Sequence, residues 1–156
     1  MTRWVRLFLK ILLFLLMTLA IVFGSWVIYS QPKYDGKLHI KGLSNSVDIQ
    51  RDSADVTHIV ASNDRDAAFA LGFVHAQDRS WQLEFNRRVI RGELSEILGE
   101  TTLPTDKLMR TLGLIHAAQK QLEQLPTEVV DQLKAYSEGV NAFHANRQQG
   151  LPPEFT

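Results

Sequence analysis

"ILLFLLMTLAIVFGSWVIY", residues 11 to 29, is nineteen residues long and carries no charge. As a helix at ~1.5 Å per residue it reaches about 28 Å, close to the ~30 Å hydrocarbon core of a bilayer. Trp4 lies near one end, and Trp26 and Tyr29 near the other, where amphipathic rings favour the interface. Arg3, Arg6 and Lys10 all precede the run. That bias predicts an inner-membrane span with a cytoplasmic N-terminus and a translocated, periplasmic remainder. The run exceeds the core of an ordinary signal peptide, and no small-residue cleavage site follows it. An uncleaved anchor is therefore expected. Secretion to the periplasm after signal cleavage is the alternative.

Behind this segment, length allows one domain at most. Setting aside those three leaves 14 basic side chains against 17 acidic ones, without the clustered basic face that nucleic acid requires. The absence of cysteine excludes disulfides and thiolate metal sites and is compatible with an oxidising compartment.

Pro32, Gly36 and Gly42 mark residues 31–46 as a linker. In "VDIQRDSADVTHIVA", apolar and polar residues alternate and then give way to a β-branched run. This predicts short strands at about 47–51 and 57–61, joined by a turn through Asp52 to Asp55. From Asn63 the period becomes helical. Asn63 or Asp64 can cap a helix over about 65–91 that stops at Gly92. "ELSEILG" makes a further short turn ended by Gly99. Thr105 can cap a helix over about 105–124, with Leu108, Leu112, Ile115 and Leu122 inward. Pro126 suits the first turn of a helix over about 126–148, bearing Val129, Leu133, Tyr136, Val140 and Phe143 and ending at Gly150. The class is α+β, mostly helical. The first of these helices carries Phe69, Leu71, Phe73, Val74, Trp81, Leu83 and Phe85 in several directions. Such a helix needs partners on more than one side.

Candidate chemistry is sparse. His39, His58, His75, His116 and His144 show no metal-ligand spacing. His75 and Asp78 lie three apart on the expected helix. They can pair structurally or, as a self-contained hydrolase would require, orient a general base. No nucleophile elbow, P-loop or dinucleotide-binding glycine pattern is present. Glu84 precedes Arg87 and Arg88 at helical spacing. On so apolar a helix, those charges are expected to form a buried network tying it to a neighbour.

"VDIQRD", "HIVA", "FALGFVHAQDRSWQLEFNRRVIRGELSEILG", "RTLGL", "AYSEGVNAF" and "LPPEF", in that order, resemble the penicillin acylase (penicillin amidase) family of N-terminal-nucleophile hydrolases. The resemblance covers about residues 45–156. It implies the N-terminal part of an α-subunit over 47–156, belonging to an αββα enzyme made as one precursor. In such enzymes autocatalytic cleavage exposes a serine at the start of the β-subunit, and its own α-amino group serves as base. The full protein would cleave a linear amide between an acyl group and an amine, in a β-lactam side chain or an acyl-homoserine lactone. Its partners would be the β-subunit region of the same precursor and a small acylated amide.

The resemblance assigns no catalytic, cofactor-binding or metal residue to this chain. The family's nucleophile, oxyanion hole and calcium-binding acidic residue correspond to positions beyond Thr156, so the resemblance implies no cofactor in this chain and makes calcium possible only in a full-length enzyme. The chain alone, a fragment on this reading, is expected to be inactive. The Gly24–Ser25 pair lies inside the apolar run and cannot be a processing junction. "SADVTHI" has neither the Gly nor the Pro usual in the family's turn before "HI". A membrane-anchored helical interaction module without catalysis is the alternative from another class.

Overall fold

A computed structural model describes residues 3–147. Gly150, the extension of the last helix to residue 148, and the "LPPEF" block fall outside the described residues. Two compact units are present. The first holds α1, Arg3–Ser30, and the second runs from Gly36 to Asn146.

Helix α1 is continuous for 28 residues, about 42 Å at the usual rise. Apolar side chains point outward all round it, with Leu13 and Phe14 each 68% exposed. Its polar groups turn inward on the backbone: the Thr18 hydroxyl donates to the Phe14 carbonyl at 2.9 Å. A helix of this length and composition is able to cross a membrane, and a signal sequence passes the same test.

In the second unit β1, Asp48–Arg51, pairs antiparallel with β2, Thr57–Val60, in the register Asp48 to Val60 and Arg51 to Thr57. The turn dispenses with Gly and Pro because two aspartates replace them. The Asp52 carboxylate accepts from the Ala54 and Val56 amides at 2.9 Å each. Asp55 takes the left-handed conformation at φ 60°, which an aspartate tolerates better than most residues.

Helix α2, Asp64–Arg91, starts at Asn63, whose side chain accepts from the Asp66 amide at 2.8 Å. Asp66 is buried and fully engaged. Its carboxylate accepts from the Asn63 amide group at 2.8 Å and from the Ser44 and Asn45 backbone at 2.9 Å each. The helix start is thereby fastened to the segment leading into the ribbon. At the other end Gly92 sits at φ 65°. The Gly92 amide bonds to Val89 O and the Glu93 amide to Arg88 O, closing a left-handed C-terminal cap. Between these ends Arg79 leaves the helical region (φ −141°, ψ 36°) and kinks the helix. The apolar period gives no sign of that break.

Helix α6, Thr127–Asn146, packs along the first half of α2. Two glycines let the backbones touch. A Cβ on Gly72 would lie 2.0 Å from the Tyr136 carbonyl oxygen, and one on Gly139 would lie 1.9 Å from that of Phe69. Phe73 and Phe143 meet edge to face at 5.4 Å. With Ala76 they form the core, onto which Ile40, Leu83 and Val140 pack.

The helix expected over 105–124 is two helices, α4 (Leu103–Leu112) and α5 (Leu114–Leu122). Gly113 separates them at φ 65°. The inward set anticipated there is corrected as well: Leu108, Leu112 and Leu122 are 53%, 57% and 45% exposed. What holds α4 is polar. Buried Asp106 accepts from the Leu94 and Ser95 amides at 2.9 and 2.8 Å, fixing the start of α3, Ser95–Leu98. Arg110 Nε donates to the Gly92 carbonyl at 2.8 Å.

Candidate functional site

The residues singled out in the sequence do not converge on a catalytic centre. His75 and Asp78 have separate partners. His75 Nδ1 lies 3.0 Å from the Tyr136 hydroxyl on α6, while Asp78 accepts from Arg51 Nη2 at 2.6 Å across to β1. The three-residue spacing that suggested a pair is spent on two tertiary contacts, one to α6 and one to β1. His58 pairs instead with Asp52 in the hairpin turn at 3.1 Å. Among the described residues no group of three or more His, Asp or Glu side chains stands close enough to hold a metal ion.

The charges of the second half of α2 form a network, though not a buried one. Glu84 receives Arg87 at 2.8 Å and Arg88 at 2.6 Å. Arg88 continues to Glu96 at 2.8 Å, and Arg91 meets Glu93 at 2.9 Å. The Arg87 side chain is 48% exposed and that of Glu96 61%. The expected tie to a neighbouring helix is a clasp between α2 and the segment directly after it. Hydrogen bonds from Arg87, and then from Arg88, outweigh partial burial and bring the Glu84 carboxyl down to about 2. Asp66 is likewise held below the usual carboxylate range, first by the Ser44 amide and then, against the cost of burial, by Asn63 and the Asn45 amide. At Asp106 burial pushes upward, but the bonds from Ser95 and Leu94 prevail and the net shift is downward.

Asp66 and Asp106 were not among the sequence candidates. Each is an aspartate in the first turn of a helix, a position that reads as ordinary capping. Only the fold shows that each also binds the amides of a distant segment.

The feature left for function is a surface. Past the kink, Trp81, Leu83 and Phe85 are only partly covered, and Ile90 is 45% exposed. Leu108, Leu112, Leu114 and Leu133 on α4, α5 and α6 are also open. These exposed apolar side chains leave faces of α2, α4, α5 and α6 that nothing in the described residues covers.

The comparisons supply the family. The model of the family described as penicillin amidase matches residues 46–156. The chain belongs to the penicillin amidase family. It is 46% identical over 124 residues to the penicillin acylase 2 proenzyme of a Pseudomonas species, covering 80% of this chain and 16% of that one. It is 36% identical over 123 residues to an acyl-homoserine lactone acylase of Pseudomonas aeruginosa, covering 79% of this chain and 14% of the relative. Thermostable penicillin G acylase from Alcaligenes faecalis is similar in structure, with a TM-score of 0.58 and 28% identity. That likeness covers 63% of this chain and 52% of the other. The family match takes in the ribbon and every helix from α2 onward. The chain spans only about a sixth of the length of these curated relatives.

Proposed function

We propose that this chain is the N-terminal part of a membrane-anchored acylase precursor that hydrolyses a linear amide between an acyl group and an amine. The observation that carries the reading is the penicillin amidase match across residues 46–156, with relatives named as penicillin and acyl-homoserine lactone acylases. The exposed apolar side chains of α2, α4, α5 and α6 support it, since a larger body of the same protein would cover them. On this account residues 46–156 are scaffold. The nucleophile, its α-amino base and the oxyanion hole of the αββα core come from the remainder of the precursor. Calcium, if the full enzyme holds it, is held there too. Helix α1 keeps the enzyme on the periplasmic face of the inner membrane.

A chimera tests this reading. Residues 46–156 replace the corresponding segment of the Pseudomonas penicillin acylase 2 proenzyme. The chimera is expected to mature and to hydrolyse its penicillin substrate. A chimera that is soluble and folded, yet neither matures nor turns over, would favour the non-catalytic interaction module.

A further inference from the structure

Helix α2 is one element in extent and two in geometry. At Arg79 the backbone leaves the helical region, which interrupts the ladder from each amide to the carbonyl four residues back. Ser80 supplies a local cause. Its hydroxyl donates to the Ala76 carbonyl one turn earlier, a back-bond that bends helices. The buried residues of α2 run from Asp66 to Ala76 and stop there.

Polar ties gather on either side of the break. Before it, Asp66 holds the Ser44 and Asn45 amides, His75 meets Tyr136, and Arg51 grips Asp78 at 2.6 Å. These join the first half of α2 to α6, the ribbon and the segment ahead of it. After it, Glu84 and Arg88 lead to Glu96, Asp106 holds the Leu94 and Ser95 amides, and Arg110 holds the Gly92 carbonyl. These join the second half to α3 and α4. Leu83, only partly buried, packs back across the break onto the Phe73–Phe143 core.

We infer that Arg79 is a hinge, set by the Ser80 back-bond, about which the second half of α2 turns as one body with α3 and α4. A segment with few buried apolar contacts is the one that opens or shifts most easily, and the second half of α2 has no buried residue. Hinges are a few positions that absorb the change in φ and ψ, on a microsecond to millisecond scale. Motion at Arg79 carries Trp81, Phe85 and Ile90 together with the exposed Leu108 and Leu112 of α4. On the proposed reading of the chain as scaffold, the covering body fixes the angle at which these side chains stand. The hinge itself does not depend on that reading.

Backbone residual dipolar couplings of the full chain in detergent micelles test the hinge, because they average motion on that timescale. The first half of α2 with α6 gives one degree of order, and the second half with α3 and α4 gives another. The second body is expected to show a loss of order relative to the first. Ser80→Ala, which removes the back-bond, should bring the two closer together. A single alignment of equal magnitude for both bodies would make the kink rigid and overturn the hinge. A difference that Ser80→Ala leaves unchanged would place the flexure elsewhere and overturn it as well. The wild-type couplings decide the first point whether or not the variant folds.

Discussion

A methyl group on Gly139 would stand 1.9 Å from the carbonyl oxygen of Phe69. The contact is reciprocal, since Gly72 faces the Tyr136 carbonyl at 2.0 Å on the same terms. Two helices are thus in contact through their backbones, and the Phe73–Phe143 core follows from that approach. Gly139→Ala should destabilise the chain by about 3 kcal/mol, the upper end for overpacking. The urea midpoint checks it. A neutral substitution would mean that α2 and α6 stand further apart.

Asp66→Ala removes a buried acceptor that serves the Ser44 and Asn45 amides and the Asn63 side chain. Leaving Ser44 and Asn45 unsatisfied should cost about 2 kcal/mol. The specific readout is hydrogen exchange at those two amides, which should lose protection while the Phe143 amide on α6 loses less. Equal loss at both sites would indicate global loosening instead.

Glu84 carries an acid-stability signature. Its carboxyl is about 2 in the folded chain against 4.5 as an ordinary glutamate. A depressed carboxyl stabilises the fold fully above the higher value, and the contribution is lost as pH falls from about 4.5 to 2. Glu84→Gln should therefore cost stability at pH 7, about 1 kcal/mol given the exposure of Arg87. It should cost nothing near pH 2. A constant difference across that range would contradict the ion-pair assignment.

Trp81 lies past the kink and is only partly covered. In the chain alone Trp81→Ala should cost about 1 kcal/mol, since little buried area is lost. In the complete precursor the cost should approach ~3–5 kcal/mol, the range for a buried tryptophan. Paired thermal melts of chain and precursor give the comparison, and equal costs would argue against a covering body.

What the sequence shows of this fold is local. Asn63 and Gly92 read as the ends of a helix because capping and left-handed termination depend on a few adjacent residues. The kink at Arg79 is not legible, since the apolar period runs through it unchanged. Gly113 within "RTLGL" is flanked by helix-forming residues that mask the break, though its left-handed conformation divides α4 from α5. Gly72 and Gly139 are visible as helical glycines, but that they face carbonyls on opposite helices is a property of the pair. The candidate site shows the same limit. His75 and Asp78 have a plausible spacing, and only tertiary structure assigns them to Tyr136 and Arg51.

The most direct test of the central claim is amide hydrolysis by the purified 156-residue chain. Penicillin G, a cephalosporin and an acyl-homoserine lactone are the substrates. The account predicts rates at background for all three, because on the proposed reading the groups that supply most of the rate would come from the remainder of a precursor. Turnover that survives purification and disappears on His75→Ala would contradict it, and would place the chemistry on this chain.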